Sequence, residues 1–419
     1  LGPSSKGWGA ACVALALGTG AAHAASTRIE RSIRVDRSGT TCPGARFVRI
    51  QDALDAASPG AKIIVCPGVY SEQLLVARAV RLHGMRGAIV RPSGMQANTT
   101  SLRTGRPIAA VAVVAARASI EGLELDASDH RLPGCGDTDP LVTGIYVRGA
   151  AAKVRGSRIH GMMFEDVDPA CENGIGVLAE ANGTGTPVTI ADTLVFDYQR
   201  AGIVANEAGL RATIRGNTVA GSGPTPALAQ NGIQLGFGAT GRVVRNIVQN
   251  NAAPSAGCTF DGGNLVYESD GGSIVGNVFT GNTAGVIVRG SRNRIARNTI
   301  DGLSGGTPVG LDGVSVIGDE NVVTSNTIRN VSEAGIRLEG ERNRAVRNTV
   351  SATRAASLCD PTRAASETCA ALLAECGVAI WIAGGGGNGL AGNTLVGNDR
   401  NVQDDGTRTA VDSRRRRIR

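Results

Sequence analysis

One sixteen-letter phrase limits what this chain can become. GVIVRGSRNRIARNTI, starting at Gly285, returns as GVSVIGDENVVTSNTI from Gly313 and as GIRLEGERNRAVRNTV from Gly335. The shared pattern is G-[IV]-x-[VL]-x-G-x-x-N-x-x-x-x-N-T-[IV]. Apolar residues alternate in short bursts broken by Gly and Asn, which is the period of strands and too brief for helices. Looser copies open at Gly144 (GIYVRG), Gly174 (GIGVLAE), Gly202 (GIVANEAG), Gly232 (GIQLGFG) and Gly377 (GVAIWIAGG). Repeats of about 20 to 30 residues cannot bury an apolar face alone and must stack on their neighbours. The expected unit is a coil of three short strands, each stacked in parallel on the next at about 4.8 Å per step.

The residue types suit that coil. Aromatics are only 3% of the chain and glycines number 59, so small and β-branched side chains must fill the interior. The strand-opening glycines are expected to adopt positive φ in tight turns, and the asparagines to hold left-handed bends. Stacked asparagines can also bond one another through their amides. One ladder is expected at Asn298, Asn326 and Asn348, another at Asn293, Asn321 and Asn343.

The segment FVRIQDALDAASPGAKIIVCPGVYSEQLLV, Phe47 to Val76, resembles the entry motif of the pectin-lyase-like superfamily of right-handed parallel β-helices. With the repeats, the resemblance covers roughly residues 47–402. It implies an all-β fold: a single-stranded right-handed parallel β-helix with an N-terminal cap helix. Ile50, Leu54 and Ala57 would face the open end of the solenoid, with Arg49, Gln51, Asp52 and Asp55 toward water. Glu72, after the Pro-Gly-x-Tyr turn, reads as structural. The expected layout is a signal peptide at 1–24, the cap and first coils at 25–110, repeats at 111–402 and a basic tail at 403–419.

KGWGAACVALALGTGAAHAAS has the basic start, short apolar run and Ala-His-Ala ending of an export signal, which predicts a periplasmic or extracellular protein. The run is too short to span a bilayer and no other segment is long and apolar enough. The net charge of +7 owes much to five arginines in SRRRRIR and to Lys6. The body is nearly neutral, which excludes a global nucleic-acid footprint. Of nine cysteines, Cys12 falls in the signal and leaves an even number. Disulfides are expected, with Cys42–Cys66 and Cys135–Cys171 as the pairings offered. No C-x-x-C is present and few histidines remain, so no metal site is assigned.

The stretch from the strand-opening Gly to the Asn-Thr pair is nearly constant, whereas the stretch from Asn-Thr to the next Gly varies widely. One corner of the coil should therefore take the insertions, forming a wall along one flank where binding and chemistry reside. Cys135, Cys171, Cys258, Cys359, Cys369 and Cys376 all fall in that interval.

Acidic polysaccharides are a common substrate of the superfamily, which implies uronate chemistry: a carboxylate neutralised by Ca²⁺ or Arg, then proton abstraction. The candidate catalytic residues are Asp166, Asp168, Asp197, Tyr198 and Arg200. His160, Glu165, Arg294, Arg297, Arg344 and Arg347 are candidate substrate contacts. The acidic patch FEDVDPACE could bind Ca²⁺, and a solvated loop competes with that reading. Asp168-Pro169 resembles a motif of the alginate epimerases, but Ala170 stands where they carry His. The paired arginines are interrupted by Val322 and Ser325, so they would meet alternate anionic sugars, or simply solubilise a face. GFGATG, Gly236 to Gly241, is followed by strand pattern and reads as a turn, not a dinucleotide loop. The chain is thus expected to bind a polysaccharide, uronate-containing if the resemblance holds, and to act as a lyase or epimerase rather than a hydrolase if it is an enzyme. The alternative is a non-catalytic solenoid, similar to the periplasmic accessory protein of nitrous-oxide reductase maturation or to an adhesin. Oligomeric state is not legible.

Overall fold

A computed structural model describes residues 32–412, apart from 133, 135, 137, 165–172, 184, 225–229, 253–261 and 356–375. Glu165, Asp166, Asp168 and the Cys135–Cys171 pairing therefore lie outside the described residues. The chain winds through three parallel sheets in fixed order. We call them sheets I, II and III; they hold 14, 12 and 13 strands. One turn runs through Arg294–Ala296 in sheet I, Thr299–Asp301 in sheet II and Asp312–Ile317 in sheet III. The next runs through Val322–Thr324, Thr327–Arg329 and Ala334–Glu339, in parallel register with the first.

Alternation decides which side chains face the axis. In sheet III, Val286, Val314 and Ile336 stack in one column and are fully buried. Ile274, Ile295, Val323 and Ala345 do the same in sheet I. Removing such columns from water is the main favourable contribution to folding, about 25 cal/mol per Å² of apolar area.

The expected asparagine ladders are present. Asn298 Nδ2 donates to Asn326 Oδ1, and Asn326 Nδ2 to Asn348 Oδ1, both at 3.0 Å. The same ladder extends back through Asn277, Asn246 and Asn217 and onward to Asn393. In the second ladder the Asn293 backbone N–H donates to Asn321 Oδ1 at 2.9 Å, and Asn321 Nδ2 to Asn343 Oδ1 at 3.1 Å.

Two expectations about turns need correcting. Of the strand-opening glycines only Gly377, at φ 82°, is in the left-handed region; Gly144, Gly174, Gly202, Gly232, Gly285, Gly313 and Gly335 are not. They are required by close packing: a Cβ on Gly313 would sit 2.4 Å from the Gly335 carbonyl oxygen, and one on Gly285 2.6 Å from that of Gly313. Nor do the ladder asparagines make the left-handed bend. The residue before each does, with φ of 53° at Arg297, 57° at Ser325 and 56° at Arg347. An asparagine thus spends its side chain on the ladder and leaves the strained torsion to its neighbour.

At the N-terminal end, Ile50–Ala56 forms a helix, and Ile50, Ala53, Leu54 and Ala57 are buried. Glu72 has the structural role read for it, since its carboxylate accepts the backbone N–H groups of Ile50 and Gln51 at 2.8 and 2.9 Å. These are helix-start donors with no partner inside the helix. Cys42 and Cys66 form the expected disulfide. At the other end the solenoid runs further than expected. Arg400–Asp404 and Ala410–Asp412 pair with the preceding coil, so 403–412 belong to the stack rather than to a tail.

Beyond the helix-bearing connection from Ser32–Val35 to Ala61–Val65, the long connections leave from one corner. Each lies between a sheet II strand and the following sheet III strand, as between Arg158–His160 and Gly174–Glu180, or Thr349–Ser351 and Val378–Ile382.

Candidate functional site

Outward positions of sheet III carry the chemistry next to that corner. They form a groove of about 800 Å³. Glu180, Asn206 and Gln234 come from successive coils, each at an outward position of its strand. Gln234 Nε2 donates to Asn206 Oδ1 at 3.0 Å. Phe237 and Tyr267 pack edge to face, centroids 5.3 Å apart, and the Arg103 guanidinium lies 3.4 Å over the Phe237 ring. Gly236 keeps this floor open, because a Cβ there would lie 2.6 Å from Asn206 Oδ1. Leu178, Val204 and Leu265 supply apolar surface between the polar groups. The buried amide oxygen of Asn231 has no hydrogen-bond partner among the described residues.

Glu180 anchors one wall. Its carboxylate accepts from the Tyr146 hydroxyl at 2.7 Å, the Ser101 hydroxyl at 2.8 Å and the Leu102 N–H at 2.7 Å. Burial, then the nearby Glu180 charge, push the Tyr146 phenol far above its ordinary value. Tyr146 therefore remains a hydrogen-bond donor at any ordinary pH. Glu180 is occupied in holding the Ser101–Arg103 segment against the groove.

A second cluster lies on the outward face of sheet II. His160 Nε2 is 3.0 Å from Glu124 Oε1, its Nδ1 is 3.7 Å from Asp126 Oδ1, and its ring stacks on Phe196 at 4.7 Å. Burial would raise the Asp126 pKa, but hydrogen bonds from Ser128 and Arg91 and the His160 charge outweigh it, so Asp126 sits below the ordinary range. Asp197 is held above it. Desolvation and the Asp126 charge lift it, against His160 and the Gly161 N–H. Glu124, Asp126 and His160 place three ligand atoms within 4.8 Å of one another. Arg91 is bonded to Asp126 at 2.5 Å and Arg158 stands 3.9 Å from Glu124, so a cation there would meet two guanidiniums.

A third cluster is buried further along sheet III. Asp312, Glu333 and Arg337 are at most 9% exposed. Arg337 Nη1 is 3.8 Å from Glu333, and its guanidinium lies 4.8 Å over the Trp381 ring. Asp312 Oδ1, Glu333 Oε1 and Arg337 Nε lack hydrogen-bond partners among the described residues. Desolvation raises both acids, Glu333 well above the ordinary range with the Asp312 charge adding to it, while Arg337 opposes both shifts.

The residues singled out from sequence are thus divided among places. His160 and Asp197 meet on the sheet II side. Arg200 lines the sheet III groove. Tyr198 is a correction: it is fully buried inside the coil, its hydroxyl bonded to Asn251, and cannot meet a substrate. Arg294, Arg297, Arg344 and Arg347 stand exposed on sheet I and the bend after it. The groove residues Glu180, Asn206, Gln234 and Tyr267 were missed. Their only sequence signal is a polar or aromatic letter at an outward slot of a Gly-opened strand, and that signal is visible once the register is known.

Three parallel sheets wound by one chain, with a groove along one flank, define a parallel β-helix. The chain belongs to the family described as right handed beta helix region, which matches residues 142–300 and 201–399. No curated protein sequence matches the chain. Among solved structures, the A-module of mannuronan C-5 epimerase AlgE6 from Azotobacter vinelandii is similar at a TM-score of 0.55 and 15% identity, over 87% of this chain and 95% of that one. The AlgE4 A-module from the same organism gives 0.52 and 15%, over 87% and 95%. PfbA, a surface adhesin of Streptococcus pneumoniae, gives 0.51 and 13%, over 85% and 90%. At these identities the likeness is one of fold. Among the described residues no helix is long and apolar enough to cross a membrane.

Proposed function

We propose that the protein binds a polysaccharide chain along the sheet III groove and works outside the cytoplasm. The observation that carries this reading is the groove's lining: aromatic rings at Phe237 and Tyr267 beside the Asn206 and Gln234 amides and the Arg200 guanidinium. A sugar ring has apolar C–H faces that stack on aromatic rings and a rim of hydroxyls that both donate and accept. Amides match that rim, and a guanidinium suits a ring carboxylate. A volume of about 800 Å³ is within the range of ligand clefts. The Cys42–Cys66 disulfide supports an oxidising compartment. Fold likeness to mannuronan epimerases supports uronates as the first sugars to try, and likeness to an adhesin supports the non-catalytic alternative. In the catalytic version, Asp166 and Asp168 stand on the connection that enters the groove's Gly174–Glu180 strand.

The test is calorimetric titration with alginate and pectate oligosaccharides, alongside absorbance of unsaturated product and proton exchange at the uronate carbon. Tyr267→Ala and Gln234→Ala should each weaken binding about tenfold. Absence of any saccharide binding, or binding indifferent to both substitutions, defeats the reading. Binding without either reaction selects the non-catalytic form.

A further inference from the structure

On the opposite flank from the groove's corner, the stretch of sheet I from Arg242 onward and the bend after it present six exposed arginines in three pairs: Arg242 with Arg245, Arg294 with Arg297, and Arg344 with Arg347. Register puts the first members in one column, Arg242, Ser273, Arg294, Val322, Arg344, followed by Gly389. The second members share a second column, Arg245, Gly276, Arg297, Ser325, Arg347 and Gly392, linked coil to coil by backbone hydrogen bonds. Arginine pairs therefore occupy every second coil, about 9.6 Å apart, and the three pairs span about 19 Å of the rod.

The intervening coils carry only Ser, Gly and Val at these positions. Three of the stems run beside a glycine of the following coil. A Cβ on Gly276 would meet Arg245 Cγ at 3.8 Å, one on Gly392 would meet Arg347 Cγ at 3.5 Å, and one on Gly389 Arg344 Cγ at 3.9 Å. Among the described residues none of the six side chains has an ion pair or hydrogen bond. The acids on the neighbouring bend are already matched, Asp270 by Arg292 at 2.6 Å and Glu320 by Arg342 at 3.0 Å. The result is one uncompensated line of positive charge with a two-coil period.

We propose that this line is a docking track for a linear acidic polysaccharide carrying one carboxylate or sulfate on every second sugar, the chain lying along the rod. Two pyranose rings joined through equatorial bonds advance by close to two coil steps, so successive anions fall on successive arginine pairs. Two guanidiniums per anion give charge-assisted contacts from both sides. A membrane surface fits poorly, since the track is one column pair wide and Val322 is its sole large apolar residue. A nucleic acid fits poorly too, because these columns hold no aromatic ring on which bases could stack. The track is separate from the sheet III groove and does not depend on it.

The experiment measures binding of the full chain to hyaluronan oligosaccharides, which have a carboxylate on every second sugar. Polygalacturonate, dextran, single-stranded DNA and phosphatidylglycerol vesicles serve as competitors. Hyaluronan should bind in preference to all four and weaken with added salt. The double exchange Arg294→Glu with Arg297→Glu should weaken it at least about tenfold. Filling the gap with Val322→Arg and Ser325→Arg should shift preference toward polygalacturonate, which is charged on every sugar. A melting curve monitors folding, and Arg294→Gln with Arg297→Gln replaces the charge reversal if that variant does not fold. No hyaluronan binding at low salt, binding indifferent to the exchanges, or tighter binding to DNA or vesicles would overturn the proposal.

Discussion

Glu333→Gln should make the protein more stable at neutral and alkaline pH, and the effect should grow with pH. Glu333 and Asp312 are buried on adjacent coils with Arg337 as their shared cation, and Glu333 is 5% exposed. Burial first, then the Asp312 charge, hold the Glu333 pKa well above its ordinary value. A carboxyl raised in the folded state contributes stability below its unfolded pKa, and that contribution is lost as pH rises through the folded pKa. While the folded protein keeps a proton that the unfolded chain has released, stability falls by about 1.4 kcal/mol per pH unit. The loss begins near pH 5, above the ordinary glutamate range, and ends once the raised value is passed. Glutamine cannot ionise, so the variant lacks this slope, and its amide can donate to the Asp312 carboxylate. The assay is the urea midpoint measured from pH 5 to pH 9 for both proteins. Parallel pH curves, or a variant less stable throughout, would refute the reasoning.

Two asparagines with opposite surroundings should respond in opposite directions. Asn326→Ala removes an acceptor used by the Asn298 backbone N–H and side chain, and leaves the Ile295 carbonyl without its donor. A cost of about 3 kcal/mol in urea unfolding is expected, in the range for orphaned buried groups. Asn264 instead occupies an inward slot between Ile233 and Val286, fully buried, with neither amide atom bonded among the described residues. Asn264→Val should therefore stabilise by about 1 to 3 kcal/mol in the same assay.

How much could be read in advance follows from what each position must satisfy. An inward slot such as Val314 stacks on its counterparts above and below, so its chemistry is repeated in every coil and the period shows in the sequence. The asparagine ladder obeys the same logic, because each member completes the one before it. Outward slots carry no such obligation. Tyr146, Leu178, Val204, Gln234 and Leu265 form one outward column of sheet III with no shared chemistry. Nothing in the repeat distinguishes a groove residue from a solvated one. Tyr198 failed for a related reason. The bend after Phe196 swings it inward, where it takes the place of a ladder residue by bonding Asn251. Except at Gly377, the strand-opening glycines were found correctly but for the wrong cause, since a carbonyl approaching from the next coil leaves no mark in a single chain's local pattern.

The arginine track shows what an outward column can do when its own spacing matters. Arginines on adjacent coils would stand about 4.8 Å apart, where like charges repel appreciably even near a protein surface. At two coil steps, about 9.6 Å, the separation exceeds the Debye length of about 8 Å at physiological ionic strength, and most of that repulsion is screened. The alternation therefore lets a line of unpaired charge persist at little cost to folding. The same screening would weaken a loosely hovering polyanion, so affinity has to come from direct contact by both guanidiniums of a pair. Within each pair one side chain leaves from a strand and the other from the left-handed bend that follows it. A solubilising face needs only charge. Three pairs held at one fixed period add a requirement that a ligand with its own repeat would impose.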